Sequence, residues 1–327
     1  MTLTQLRDFV AIVDAGLNIT LAAERVHATQ PGLSKQLKQL EQRLGFQLFV
    51  RKGRSLETLT EQGEQILVHA RRALAEVANI RTHAANQRVE STGRLVIATT
   101  HTQARYVLPA AVKDIKRRYP RVSVHLEPTA DDQPIGQLRE GKADLAILST
   151  SGAAPIDGIA IPLFRWRRQV LVPMSHPAAE RGAPNLKALS EWPLLTYESA
   201  NFPASSLRRT FEAVGLTPQL AMTAHDADLI KTYVRAGLGV GVVAEMAVNP
   251  LEDTDLRVWP APAELPECVT WAVVPRGDVL RDYTRSLLLE LAPQLDRHDL
   301  RRVIDGVQSP PWSSTPSWTE RSRTISV

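Results

Sequence analysis

Residues 20–44, TLAAERVHATQPGLSKQLKQLEQRL, constrain the fold most, because two short helical patterns meet there at a tight turn. The first helix is expected to begin at Thr20, which can cap it, and to end at Val26. His27-Ala28 would form the turn, and Thr29 can cap the second helix. This layout predicts a helix-turn-helix whose second helix lies in a DNA groove.

The second helix has an apolar side and a polar side. Its apolar stripe consists of Leu33, Leu37, Leu40 and Leu44. Glutamine offers a paired donor and acceptor to base edges, and lysine offers a point charge to phosphates. The predicted DNA-binding residues here are Thr29, Gln30, Pro31, Ser34, Lys35 and Lys38. An ordinary amphipathic helix with a solvated polar face would show the same pattern.

A basic hairpin is predicted directly after this helix, in FQLFVRKGRSLETLT. Two β-prone runs, at 48–50 and 56–59, flank the Lys-Gly-Arg tip. Arg51, Lys52 and Arg54 would then lie on the phosphate backbone and add salt-dependent affinity without reading sequence. A solvated basic loop is the alternative, and proximity to a recognition helix favours the wing.

A long helix is expected from Thr60 to about Arg88. Its apolar positions alternate spacings of four and three, as in a coiled coil. They are Ile66, Ala70, Ala73, Val77, Ile80 and Ala84. The pattern predicts a linker helix that forms a homodimer, which suits a helix-turn-helix protein with two half-sites. Alternatively, the stripe packs on the chain's own C-terminal domain.

The length and composition of the whole chain indicate a globular protein with more than one domain. Its 327 residues exceed the span of one hydrophobic core, and 43% of them are hydrophobic. Cys268 is the only cysteine, which excludes an internal disulfide and a cysteine-built zinc site. The net charge of +4 is compatible with one anion-binding patch. Without a recognisable signal peptide or spanning segment, we expect a cytoplasmic protein that does not bind a membrane.

Strand-like runs alternate with helical segments after a polar stretch near residue 90. The runs cover 94–98, 122–126, 145–148, 169–172, 194–197, 219–222, 240–244 and 270–274. This alternation predicts mainly parallel sheets in two lobes. The predicted domains are a winged helix-turn-helix (1–59), a linker helix (60–92), a two-lobed domain (93–295) and a Ser/Thr/Pro-rich disordered tail (296–327).

The stretch IATTHTQARYVLP places polar residues directly after the first strand of the two-lobed domain. These are Thr100, His101, Thr102 and Gln103. In an open α/β sheet, ligands bind at the carboxyl ends of strands, and free N–H groups at a helix start favour an anion. However, Thr100 and Gln103 also match a T-x-x-Q capping box that needs no ligand, so both interpretations stay open.

Recognisable enzyme signatures are missing from the sequence. Gly237-Leu-Gly-Val-Gly241 has the wrong spacing for a dinucleotide fingerprint and is better explained by a helix-to-strand turn. His225-Asp226-Ala-Asp228 has metal-ligand residue types, but the aspartates begin a helix, where they complement its dipole. We therefore expect no enzyme, no metal and no cofactor.

The motifs AAERVHATQPGLSKQLKQLEQRLGFQLFVR and LTEQGE resemble the winged helix-turn-helix of LysR-type transcriptional regulators. The stretches TTHTQARYVLP, RYPRVSVHL, PLLTY and HDADLIKTYVRAGLGVGVVAEMAV resemble more narrowly the CysB-like branch of that family. The resemblance covers roughly residues 1–295. It implies a two-lobed effector domain of the periplasmic-binding-protein type, usually in a homotetramer, with promoter DNA and RNA polymerase as partners.

The resemblance also implies an effector pocket and a function. The matching pocket residues are Thr100, Thr102 and Gln103, with a hydroxyl at Ser149. Where such proteins carry a further pocket threonine, this chain has Phe202, which leaves the ligand open. The implied function is control of sulfur assimilation and cysteine biosynthesis in response to sulfate, acetylserine or a sulfonate-like anion. Regulation of another pathway by a different organic anion, or cytoplasmic solute binding, are the alternatives.

Overall fold

The computed structural model describes residues 1–53, 55–88, 92–130, 133–307, 312 and 315–325. The chain divides into two compact units. The first contains Met1–Arg88, and the second begins at residue 89 and includes all later residues.

The first unit is a winged helix-turn-helix followed by a long helix. Its elements are α1 (Leu3–Asp14), α2 (Ile19–Arg25), α3 (Gln30–Leu44), β1 (Phe49–Lys52), β2 (Ser55–Leu59) and α4 (Glu61–Gln87). β1 and β2 pair antiparallel. The core lies between the helices and the start of the hairpin, where Phe9 and Phe49 meet edge to face at 5.5 Å. The predicted helix-turn-helix and wing are confirmed.

Capping side chains set the boundaries of the two central helices. Thr29 caps α3 as predicted, and its Oγ1 accepts from the Gly32 N–H at 3.3 Å. The expected start of α2 at Thr20 is wrong. Asn18 caps that helix, because its Oδ1 accepts from the Leu21 N–H at 3.0 Å and leaves Thr20 inside the first turn.

The predicted coiled-coil stripe of α4 divides into two parts. Ile66, Ala70 and Ala73 pack against the core of the first unit, so this part is not a free dimerisation seam. The correction follows from contact between α4 and α1, which covers the early turns. Ile80, in contrast, is 67% exposed, and Ala84 is exposed as well.

The second unit consists of two five-stranded sheets with helices around them. Its strands are β3 (Gly93–Thr100), β4 (Val122–Thr129), β5 (Leu145–Thr150), β6 (Ile159–Trp166), β7 (Arg168–Pro173), β8 (Pro193–Tyr197), β9 (Gln219–Ala224), β10 (Val240–Ala244), β11 (Leu256–Pro260) and β12 (Cys268–Val274). Its helices are α5 (His101–Tyr106), α6 (Leu108–Arg118), α7 (Gln133–Arg139), α8 (Leu186–Ser190), α9 (Ser206–Ala213), α10 (Ala227–Arg235), α11 (Asp282–Leu291), α12 (Arg297–Ile304) and α13 (Trp318–Ile325).

The two sheets define two lobes. The first lobe has the strand order β4-β3-β5-β12-β6, and the second has the order β11-β7-β10-β8-β9. The chain passes from the first lobe to the second between β6 and β7, and it returns between β11 and β12. The predicted two-lobed α/β fold is confirmed.

The expectation of mainly parallel sheets needs correction, because both sheets are mixed. β3 is parallel to β4 and β5, whereas β12 is antiparallel to both of its neighbours. In the second lobe, β8 is parallel to β9 and β10, whereas β7 is antiparallel to its neighbours. β7 is the first strand after the chain crosses into the second lobe, and β12 is the first strand after it returns to the first lobe. Because the chain enters each sheet from the other lobe, these strands run opposite to their neighbours.

The glycines near residue 239 form the predicted helix-to-strand turn. Gly237 follows α10 with a φ of 80°, which is the left-handed conformation of a helix C-terminus. A Cβ on Gly239 would overlap the carbonyl oxygen of Pro193. These glycines therefore serve the turn and close packing.

The predicted disorder of the tail is wrong for its described residues. α12 and α13 are helical, and the Trp318 ring lies 5.0 Å from that of Phe164. Trp312 Nε1 donates to the Ala160 carbonyl oxygen at 3.0 Å. Composition alone indicated disorder, but these isolated tryptophans bury apolar surface against the first lobe.

Candidate functional site

The polar face of α3 presents most of the predicted DNA-binding residues to solvent. Gln30, Lys35 and Lys38 are exposed, as is Pro31 in the first turn. Ser34 is partly buried and accepts a hydrogen bond from Gln30 Nε2 at 3.3 Å. The helix therefore offers a mixed amide, hydroxyl and ammonium surface of the kind that contacts bases and phosphates.

The basic residues of the wing differ in whether a carboxylate pairs with them. Lys52 is exposed and has no ion pair with any residue that the structure describes. Arg51 instead pairs with the buried Glu41 at 2.9 Å, so part of its predicted role is structural. Glu41 also accepts from the Leu48 N–H at 2.9 Å, which fixes the start of the hairpin. Arg54 lies outside the described residues.

In the second unit, a cavity of about 380 Å³ lies between the two lobes. The first lobe contributes residues from the end of β3, the start of α5 and the end of β5, and the second lobe contributes the starts of β7 and α9 and the end of β8. The volume falls in the range of about 300–1,000 Å³ for small-molecule sites.

The wall formed by the first lobe is neutral and rich in hydrogen-bonding groups. Thr100, Thr102, Gln103 and Ser149 line the cavity, as the resemblance implied. Thr102 is only 7% exposed, yet its hydroxyl makes no hydrogen bond with any described residue. A hydroxyl in this position can donate to a bound anion.

Gln103 forms only half of the predicted capping box. Its N–H donates to Thr100 Oγ1 at 3.4 Å, but its side chain reaches Ser149 Oγ at 3.0 Å and does not return to the Thr100 backbone. The other amide atom, Oε1, is buried without a partner in the described chain. Because the two amide atoms are distinguished only by their hydrogen bonds, the reversed orientation is also consistent. In that orientation Ser149 donates to Oε1.

Two buried residues, Thr270 and Trp166, hold the Ser149 hydroxyl in position. Its Oγ lies 2.9 Å from Thr270 Oγ1, and Trp166 Nε1 donates to that threonine at 3.1 Å. Thr270 is fully buried on β12. This network, which the sequence did not reveal, holds the Ser149 and Gln103 side chains in place before any ligand binds.

Two of the predicted effector-binding residues do not line this cavity. His101 lies beside α10, where its ring stacks on His225 at 6.1 Å. Phe202 is 54% exposed and lines an adjoining cavity of about 280 Å³ together with His225. His101 is about 100° from Thr102 around α5 on the side away from Gln103, so it faces His225 and not the cavity.

The wall formed by the second lobe carries a charge that sequence reasoning missed. Arg168 lines the cavity at the start of β7. Its Nη2 donates to Ser206 Oγ at 2.7 Å, and its Nη1 donates to the Pro266 carbonyl oxygen at 3.1 Å. In the sequence, the only indication of this role was that Arg168 directly precedes the apolar residues of β7.

Ionic and hydrogen-bonding contacts join the lobes beside the cavity. Tyr106 Oη on α5 donates to Asp228 Oδ1 on α10 at 2.7 Å, and Arg105 forms an ion pair with the same carboxylate. Burial tends to raise the pKa of Asp228, but hydrogen bonds from Tyr106 and Lys231 outweigh it, so the net shift is downward. Asp226 caps α10 as predicted, whereas Asp228 connects the lobes.

The described residues contain neither a metal-binding cluster nor a membrane-spanning helix. Across the described ranges, histidine, cysteine and acidic side chains form no group of three or more that could hold a metal. Within the same part of the chain, none of the helices combines the length and apolarity needed to cross a membrane.

Family models match both units of the chain. The model for the bacterial regulatory helix-turn-helix protein of the lysR family covers residues 3–64, and the model for the LysR substrate binding domain covers residues 88–296. The chain belongs to the LysR family of DNA-binding transcriptional regulators. The matched families and relatives are regulators and not enzymes.

Similar proteins narrow the position within this family. The chain is 36% identical over 306 residues to the HTH-type transcriptional regulator CysB of Burkholderia cenocepacia, covering 94% of this chain and 98% of that protein. It is 34% identical over 304 residues to the regulator SsuR of the same organism, with coverages of 93% and 99%. Both relatives are HTH-type transcriptional regulators that align with nearly the whole of this chain.

A solved structure matches the second unit. The cofactor-binding domain of the Cbl transcriptional regulator is 32% identical, with a TM-score of 0.59. The match covers 66% of this chain and 94% of that domain. The fold of an effector-binding domain therefore accompanies the family assignment.

Proposed function

We propose that this LysR-type regulator binds promoter DNA in the cytoplasm and controls sulfur-assimilation and cysteine-biosynthesis genes in response to a small anionic sulfur compound. Similarity to CysB and SsuR supports the pathway. The observation that carries the effector is the Thr102 hydroxyl, because it lies in the wall of the interlobe cavity, bonds to no described residue and can donate to an anion.

We further propose a homodimer through the later turns of α4, assembled into a tetramer, with RNA polymerase as a partner. The repeat supports the dimer, because Ile80 and Ala84 continue the apolar stripe of α4 beyond the turns that pack on the first unit, and both are exposed. Two recognition helices in a dimer can read two half-sites.

The effector proposal is tested by thermal-shift and calorimetric screening of the full chain. The compounds are sulfate, thiosulfate, acetylserine, adenylyl sulfate and alkanesulfonates, with chloride and acetate as controls. A ligand at 100 times its Kd stabilises a protein by about 2.7 kcal/mol, which a melting curve resolves readily. We expect stabilisation by at least one sulfur compound, and stabilisation by none of them would contradict the proposal.

A second candidate is a LysR-type regulator that senses an organic anion from another pathway. The cavity supports this candidate, because about 380 Å³ accommodates a molecule larger than a bare oxyanion. Stabilisation by carboxylates that contain no sulfur, with no effect of the sulfur compounds, would favour it.

A further inference from the structure

Three arginines at the first crossing between the lobes have different partners. Arg165 pairs with Glu267 at 3.0 Å, and Arg167 pairs with the same carboxylate at 3.7 Å. Arg168 has no carboxylate within salt-bridge distance in the described chain. Its partners, the Pro266 carbonyl oxygen and Ser206 Oγ, are both neutral.

The unpaired arginine is also the one that lines the cavity. Arg165 and Arg167 are exposed, so water screens their charges, whereas Arg168 is partly buried. A guanidinium has five N–H donors, and hydrogen bonds to Pro266 and Ser206 account for two of them. A partly buried charge is stabilised by a partner of opposite charge. In this cavity, an acidic group of the effector is the available candidate.

The opposite wall already has groups for a different acidic group. Thr100, Thr102 and Gln103 are neutral side chains that suit the several oxygens of a sulfonate or sulfate ester. Arg168, in contrast, presents a planar fork that matches a carboxylate. The cavity therefore has two chemically different ends, one in each lobe.

We propose that the effector is a bifunctional small acid, with a sulfonate or sulfate-ester group on the first-lobe wall and a carboxylate on Arg168. This inference rests on the proposed effector function and specifies the chemical class of the ligand. A molecule held at both ends bridges the lobes, and its binding energy favours the closed arrangement over an open one.

The test compares three ligands of nearly equal length in calorimetric titrations of the full chain. 3-Sulfopropanoate has both a sulfonate and a carboxylate. In propane-1-sulfonate a methyl group replaces the carboxylate, and in 3-aminopropane-1-sulfonate a CH₂–NH₃⁺ group replaces it. We expect 3-sulfopropanoate to bind at least about tenfold more tightly than propane-1-sulfonate, as a charge-assisted bond predicts. The ammonium compound should bind most weakly, because Arg168 repels it.

Variants then assign the difference to one residue. Arg168→Gln should remove the preference for 3-sulfopropanoate and change the affinity for propane-1-sulfonate by less than about threefold, since that ligand lacks the bidentate partner. Arg168→Lys should keep part of the preference. Arg167→Gln is the matched control, because Arg167 does not line the cavity, and it should keep all of the preference.

The outcomes distinguish failure of the bifunctional ligand from failure of the proposed anion-sensing function. Equal binding of 3-sulfopropanoate and propane-1-sulfonate by the parent overturns the bifunctional ligand but leaves the anion site intact. A preference that survives in Arg168→Gln overturns the role of Arg168. If the parent binds none of these compounds and none of the screened anions, the proposed function fails as well. If Arg168→Gln does not fold, the parent's preference and the Arg168→Lys titration decide.

Discussion

The two units of this regulator present binding groups in contrasting ways. The predicted DNA-binding face of the first unit comes from one helix and one hairpin that are adjacent in sequence, and most of its described residues are exposed. The cavity of the second unit collects side chains from distant segments, such as Thr102 and Arg168, and most of them are buried or partly buried. Local pattern therefore suffices for the first site, whereas the second depends on the fold. Because the two sites use different residues, a substitution in the cavity should not change DNA affinity without effector. A substitution on the DNA-binding face should not change effector affinity.

The largest effect is expected from charges on the later turns of α4. The double variant Ile80→Glu, Ala84→Glu would bury like charges in the proposed seam and separate the subunits. Loss of bivalent binding should weaken operator affinity by about 100-fold or more. Sedimentation and fluorescence anisotropy measure both effects, and effector affinity should not change. Ala78→Glu, exposed on another face of the helix, is the control. An unchanged oligomer would remove these turns from the interface.

Gln30→Ala tests whether α3 reads sequence. Loss of a bidentate base contact should reduce the ratio of specific to random DNA affinity by about tenfold or more. Competition binding with operator and random duplexes measures this ratio. Gln42→Ala removes an exposed glutamine near the other end of α3 and should have little effect. If Gln30→Ala weakens both affinities equally, Gln30 contacts the backbone and not a base.

A smaller and less selective effect is expected from the wing. Lys52→Ala should weaken binding to specific and random DNA alike and flatten the salt dependence by about one unit of log–log slope. Affinities measured at several salt concentrations give that slope. Lys113→Ala removes an equal, exposed charge from the second unit and should leave the slope unchanged. A loss of sequence preference in Lys52→Ala would assign the wing a reading role.

The smallest effect concerns the contacts between the lobes. Tyr106→Phe removes the hydrogen bond to Asp228 and should weaken effector binding a few-fold, without changing DNA affinity in the absence of effector. The pKa of Asp228 is lowered, so its stabilising contribution is complete above the ordinary carboxyl pKa and is lost only as pH falls through the lowered value. Effector affinity of the parent should therefore not depend on Asp228 between neutral pH and mildly acidic pH. An effector affinity of Tyr106→Phe equal to that of the parent would show that this bond does not contribute to closure.

The sequence predicted features with local causes and missed those that arise from tertiary contacts. The cap at Thr29 and the turn at Gly237 depend on neighbouring residues, so their patterns were sufficient. β6 and β11 were missed because each contains a proline, which argues against a strand in the sequence and which their edge positions tolerate. The tail was misjudged because composition does not show which surface Trp318 covers.

The candidate site shows the same division. Thr100, Thr102 and Gln103 were identifiable because they follow one strand directly, and Ser149 followed from the family resemblance. Arg168 could not be placed, because a lone arginine gains a role only when a lobe crossing brings it opposite α5 across a cavity.

The central claim is that the first-lobe wall binds an anion and that this binding changes the response at DNA. Thr102→Val tests it most directly, because it keeps the side-chain shape and removes a hydroxyl that bonds to no other described residue. The measurement is DNA-complex anisotropy titrated with the tightest anion of the screen, with the exposed Thr217→Val as control. We predict normal folding, unchanged DNA affinity without effector, and at least about tenfold more anion for the same response. A titration identical to the parent would contradict the account and leave helix capping as the whole explanation of this motif.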